Sequence, residues 1–212
     1  IITYSAVINA WAQSNLKQSA HHAEQLLHEL EQRYEKGEAA LRPDTITYST
    51  VINALAKSGQ SDAATRSEAI LFKMLEKHEN VCKPNIVSFS TVIDAWAKSG
   101  DKRGPERAEL ILRKMEELHH LGNTDVKPTI ITYNAVINAW AQSNLKQSAT
   151  HAERLLHELE QQYEKGEAAL RPDAITYNTV INSLAKSGEP DAATRLEAIL
   201  FKMLERRDNA CK

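Results

Sequence analysis

Apolar residues recur along this chain at helical spacing, in paired segments separated by chain breakers. In the first segment Tyr4, Val7, Ile8 and Trp11 fall at i, i+3, i+4 and i+7, and Tyr48, Val51, Ile52 and Leu55 repeat the pattern. Such spacing lays one apolar stripe along one face of a helix, here named helix A. A second segment puts Ala23, Leu26, Leu27 and Leu30 at the same offsets, echoed by Ala108, Ile111, Leu112 and Met115, and predicts a helix B. Helix A stops at Lys-Ser-Gly in three places, where Gly59, Gly100 and Gly188 can adopt the left-handed cap conformation; Asn15 and Asn144 hold that place in the other two. After helix B a loop with Gly37 or Gly122 leads to Pro43-Asp44, Pro84-Asn85, Pro128-Thr129 or Pro172-Asp173, a breaker followed by a favoured N-cap. No strand pattern competes.

The pairs are copies of one unit. The helix A aromatic recurs as Tyr4, Tyr48, Phe89, Tyr133 and Tyr177, at spacings of 44, 41, 44 and 44, and a fixed period of this size marks a repeat array. The units are 1–44, 45–85, 86–129, 130–173 and an incomplete 174–212. A longer period of 129 lies on top: residues 2–83 match 131–212 at 68 of 82 positions, as a duplicated three-unit block would. One helical pair cannot bury both stripes, so consecutive pairs must stack. The expected fold is all-α, an α-α superhelix (solenoid) of stacked antiparallel helix pairs forming one domain.

Composition narrows the class without naming a function. With 212 residues, 42% hydrophobic and 25% charged, the chain can bury a continuous core. No apolar run reaches membrane-spanning length and no signal-peptide pattern opens the chain, so no membrane partner is expected, although both ends look cut. Twenty-six basic against 28 acidic residues give a net charge of -2, so any polyanionic partner must read a local face. Helix A segments alone sum to +2, through Lys57, Lys98 and Lys186 against Asp94, and the remainder to -4. Cys82 and Cys211 occupy equivalent sites of the duplication and read as free packing thiols.

The string Ile-Thr-Tyr-Asn-Ala-Val-Ile-Asn-Ala-Trp-Ala from Ile131 to Ala141 resembles the first helix of a pentatricopeptide repeat, as does Ile-Thr-Tyr-Asn-Thr-Val-Ile-Asn from Ile175 to Asn182. So do Ala-Lys-Ser-Gly from Ala56 to Gly59, the Ala-rich helix B ending near Met74 or Met115, and the closing Lys-Pro-Asn or Arg-Pro-Asp. The resemblance runs the length of the chain. One departure is the unit of 41 to 44 residues, longer than the family's usual one, with the excess assigned to the turns and expected to open the superhelix. The resemblance implies single-stranded RNA binding at one base per repeat. Its first base-reading position falls on Ser5, Ser49, Ser90, Asn134 and Asn178, and its second on Asp44, Asn85, Thr129 and Asp173. Its base-wedging position falls on Ile2, Ile46, Val87, Ile131 and Ile175, and its phosphate-contacting position on Lys57, Lys98 and Lys186, with Gln13 and Gln142 elsewhere. The family's pairing rules then imply the target 5′-G-A-N-U-Y-3′, with Ser90 and Thr129 unassigned. A role in mitochondrial or plastid RNA processing, stability or translation follows from the same resemblance.

Plainer readings stand beside these. Asp44, Asn85, Thr129 and Asp173 would be expected as N-caps in any helical repeat. Trp11, Trp96 and Trp140 continue the apolar stripe and read as core. His22 and His28, like His151 and His157, lie about 240° apart around an ideal helix and cannot share a metal, so no metal or other cofactor is expected. Glu31, Glu35 and the Glu-rich helix B faces read as solvated outer walls. With no nucleophile triad, phosphate loop or dinucleotide fingerprint, these residues are not expected to form an enzyme. The alternative function is a protein-binding α-solenoid scaffold.

Overall fold

A computed structural model describes residues 2–14, 18–76 and 82–209, and for residues 2, 3 and 206–209 the backbone alone. The described residues form helices and turns without strands. The A helices are α1 (Ile2–Gln13), α3 (Thr45–Lys57), α5 (Ile86–Lys98), α7 (Ile130–Gln142) and α9 (Ala174–Ser187). The B helices are α2 (Ser19–Glu35), α4 (Ala63–Glu76), α6 (Gly104–His120), α8 (Ser148–Glu164) and α10 (Ala192–Asn209). Among the described residues, the short 3-10 turns Ala39–Leu41, Thr124–Val126 and Ala168–Leu170 carry the chain from a B helix to the next A helix.

Each A helix packs on its own B helix and on the next A helix, while each B helix also leans on the following A helix. The apolar stripes meet there: Val51, Ile52, Leu55, Val92, Ile93, Val136 and Ile137 are fully buried, with Leu71, Met74, Ile111, Leu112 and Met115 facing them from the B side. Burying a side chain of that size contributes roughly 1.5–3 kcal/mol. The A helices touch directly along the row. Successive B helices are joined instead by long ion pairs, Glu24 with Arg66, Glu68 with Arg107, Glu109 with Arg154 and Glu153 with Arg195. The A helices thus form a close row and the B helices a splayed one.

Gly59, Gly100 and Gly188 take φ of +67°, +69° and +68°, the left-handed stop expected of them. Asn144 does not. After α7 the C-cap Ser143 is extended and the left-handed residue is Gln147, at φ +67° and ψ +14°, immediately before α8. The larger side chain at Gln147 accepts a backbone strain that glycine would avoid. Asn15 and Cys211 lie outside the described residues; Cys82 is a buried free thiol whose Sγ donates to the Pro43 carbonyl at 2.9 Å.

The solvated-wall reading holds for Glu35, which is exposed, and is corrected for three other helix B acids. Glu31, Glu68 and Glu160 are 4%, 4% and 3% exposed. Glu31 accepts from the Tyr48 hydroxyl at 2.6 Å, and Glu160 from that of Tyr177 at 2.9 Å. Lys73 and Lys202 complete those pairs from the next B helix. A carboxylate is tolerated in such a place only when charge and hydrogen bonds replace its water. Trp96 and Trp140 are core residues as expected, and each indole N–H donates to an acid, the buried Glu68 at 3.0 Å and the half-buried Glu109 at 2.8 Å.

Candidate nucleic-acid interface

The residue closing each unit caps the next A helix. Asp44 accepts from the Thr47 amide at 2.8 Å, Asn85 from Ser88 at 3.0 Å and Asp173 from Thr176 at 2.8 Å. At Thr129 the bonding differs: the Thr132 hydroxyl accepts from the Thr129 amide and donates to its carbonyl. A hydrogen-bonded cap fixes both the start of the helix and the direction of its own side chain. One residue past each aromatic, Ser5, Ser49, Ser90 and Asn134 are half-buried at the border between neighbouring A helices, and Asn178 is exposed.

Three of the candidate pairs meet across that border. Asn134 Nδ2 donates to Asp173 at 3.4 Å, its Oδ1 accepting from Thr176 at 2.7 Å. Ser5 reaches Asp44 through the Thr47 hydroxyl, and Ser49 reaches Asn85 through that of Ser88, over links of 3.1 and 2.9 Å. Ser90 and Thr129 are not joined among the described residues. Asn178 has no hydrogen-bonding partner among the described residues.

Ile46, Val87, Ile131 and Ile175 are 72%, 56%, 73% and 67% exposed, and the side chain of Ile2 lies outside the described residues. Single exposed aliphatics are ordinary, but these sit at one register along one face. A cleft of about 600 Å³ between α1, α3 and α5 is lined by Ile46, Val87, Ser49, Asn85 and Lys57, together with Asn9, Gln13 and Asn53. It thus gathers both candidate reading residues of one unit, two consecutive candidate wedging residues and a lysine. A smaller cleft of about 110 Å³ further along holds Asn138, Gln142, Thr179, Asn182 and Lys186. Lys57 and Lys186 make no ion pair among the described residues, whereas Lys98 is held by Asp94 at 2.7 Å.

Burial works to raise the Asp173 carboxyl, but the amide and hydroxyl of Thr176 and the Asn134 amide outweigh it and hold it below the usual carboxylate range. At neutral pH it is an anionic acceptor. Sequence reasoning passed over Asn9, Asn53, Asn138 and Asn182. The signal was present, since each lies four residues after a candidate reading position and therefore on the same helix face.

A pentatricopeptide repeat domain model matches residues 25–99 and 97–143, more than half the chain, and a PPR repeat model matches 169–196. The crystal structure of the pentatricopeptide repeat protein PPR10 from maize superposes with a TM-score of 0.66, at 20% identity over 98% of this chain. This chain spans only 25% of that one. PPR10 in complex with an 18-nucleotide psaJ RNA element matches at 21% identity over 96% of this chain and 35% of that chain, with a TM-score of 0.37. No curated protein matches the sequence. The helical stack, its capped A-helix row and the matched repeats place the chain in the pentatricopeptide repeat family.

Proposed function

We propose that the A-helix row binds single-stranded RNA in sequence-selective fashion, one base per repeat. The observation that carries this is the cleft in which Ser49 and Asn85 stand together between Ile46 and Val87, with Lys57 at its edge. Aliphatic groups on both sides of a gap can hold a flat base, while a hydroxyl and a carboxamide between them can pair with its Watson–Crick edge. Pentatricopeptide repeats read RNA in this manner, with two or three side chains per base, and PPR10 is itself seen with an RNA element. The sites are Ser5 with Asp44, Ser49 with Asn85, Ser90 with Thr129, Asn134 with Asp173, and Asn178. The target remains 5′-G-A-N-U-Y-3′, in mitochondrial or plastid transcripts.

Only Lys57 and Lys186 offer unpaired charge at the proposed phosphate position, so few counterions are released on binding. The slope of log K against log salt is then shallow, about -1 to -2. Fluorescence anisotropy with an RNA library tests the reading. The unaltered chain should prefer its target, and an Asn134→Ala/Asp173→Ala variant should lose about tenfold of its discrimination at the fourth base while keeping that at the second. Equal binding to every sequence by a fully helical chain would overturn base reading and favour a protein-binding scaffold.

A further inference from the structure

Between each joined pair of base-reading residues stands a buried hydroxyl belonging to neither. Thr47, Ser88 and Thr176 occupy the third position of an A helix and are 1%, 0% and 1% exposed. Each bonds backwards to the cap of its own helix, Thr47 to Asp44 at 2.7 Å, Ser88 to Asn85 at 3.2 Å and Thr176 to Asp173 at 2.8 Å. Each also bonds sideways to the reading residue of the preceding A helix, Ser5, Ser49 or Asn134.

A hydroxyl carries one proton, and that limit sets directions. Thr47 and Ser88 spend theirs on the cap oxygen, so Ser5 and Ser49 must donate inward to reach them and are left with lone pairs toward the groove. Asn134 is set the other way. Its Nδ2 donates to the Asp173 carboxylate, and the single Thr176 proton, flanked by two acceptors, is shared between its Oδ1 and the Asp173 Oδ1, which leaves its second N–H free to donate outward. The third unit provides an internal contrast. Thr129 carries no carboxylate or carboxamide, the Thr132 hydroxyl turns to the Thr129 backbone, and Ser90 has no hydrogen-bonding partner among the described residues.

We propose that Thr47, Ser88 and Thr176 are positioning residues for base recognition, fixing whether the neighbouring reading side chain presents an acceptor or a donor to the RNA. The inference rests on the RNA reading given above. It makes Ser5 and Ser49 acceptors toward base N–H groups and Asn134 a donor toward a base carbonyl. Ser90, lacking the inward bond, rotates freely and discriminates least.

Thr176→Val keeps the buried volume and removes the hydroxyl; Thr176→Ser keeps the hydroxyl. Binding of the 212-residue chain is measured against RNAs varied at one base at a time, alongside melting by circular dichroism and the Asp173 carboxyl titration by NMR. Thr176→Val should lose about fivefold of the discrimination at the fourth base, with the second base still read and the Asp173 titration moved upward. Thr176→Ser should restore both. Ser88→Ala should do the same at the second base, so the outcome does not depend on one variant folding. Full discrimination retained by Thr176→Val and Ser88→Ala would overturn the positioning role and leave RNA reading standing. A uniform loss at every base with a lowered melting point would make the hydroxyls structural only and also overturn it. An unaltered chain with no base preference would remove the RNA reading and this inference with it, even if the Asp173 titration moved as expected.

Discussion

Glu68 is nearly sheathed by three helices, and each supplies what its buried charge needs. It stands on α4, accepts the Trp96 indole N–H of α5 at 3.0 Å and is paired with Arg107 of α6. Removing the acid would strand a buried indole donor and leave Arg107 without its counter-charge. Glu68→Ala is therefore expected to lower stability by about 3 kcal/mol, read as a shift in the urea midpoint, and Glu68→Gln by about 1 kcal/mol because an acceptor for Trp96 remains. A change below about 0.5 kcal/mol in the alanine variant would show that solvent replaces the carboxylate. Partnership also explains a covariation inside the chain. Where helix B carries Glu31, Glu116 or Glu160, the next A helix carries a tyrosine that donates to it, Tyr48, Tyr133 or Tyr177. In α4 the same place holds Leu75, and the next aromatic is Phe89, which has no hydroxyl to satisfy. At the arginine place two residues before Glu24 and Glu153, His22 and His151 stack on Trp11 and Trp140 with ring centroids 4.3 and 4.0 Å apart.

The B helices depend on charge to a degree that the A helices do not, and this sets how the stack responds to acid. Burial works to raise the Glu109 carboxyl, but Arg154, the Trp140 indole and Arg113 outweigh it and lower it below its ordinary value. Glu38, Asp101 and Glu167 are lowered by Arg33, Arg103 and Lys127, Asp101 to about 2. A carboxyl lowered on folding contributes stability that is complete above its unfolded pKa, about 4.3 for Glu, and is lost as pH falls through the folded value. The melting temperature should accordingly be level from neutral pH to about 5 and fall below it, and Glu109→Gln should make that fall shallower. Melts by circular dichroism between pH 3 and 7 check this, and a melting point that rises on acidification would contradict it. The A helices were legible in the sequence because their signals are local: a stripe of period 3.6, a polar cap at Asp44 or Asn85, a glycine at the stop. What stayed hidden depends on partners 17 to 45 residues away. Glu31 and Glu35 look alike in sequence, and only the Tyr48 hydroxyl and Lys73 decide that Glu31 goes inside. Thr47 and Ser88 likewise read as ordinary first-turn residues until the preceding A helix is laid beside them.

In a linear stack, burial is set by neighbours along the array more than by a helix's own sequence. The internal duplication isolates that effect. Residues 63–76 and 192–205 differ only at Ser67 and Leu196, yet Leu71 in α4 is 1% exposed and its counterpart Leu200 in α10 is 46% exposed. The difference is α5, which packs on α4 and has no equivalent against α10 among the described residues. One substitution should thus have two outcomes in one molecule. Leu71→Glu forces an unpaired charge into the core between repeats and should cost about 3 kcal/mol or more, splitting the melt or abolishing it. Leu200→Glu leaves its charge in water and should change stability by less than about 0.5 kcal/mol. Leu200 also forms, with Phe201 and Leu204 at 63% and 45% exposure, an apolar edge on the last helix. Sedimentation at rising concentration should then show the unaltered chain associating through this edge and Leu200→Glu remaining monomeric, since an exposed apolar cluster is covered by whatever apolar surface is available. Equal destabilisation by the two substitutions would mean that α10 packs as α4 does, and that position in the stack does not set what each repeat buries.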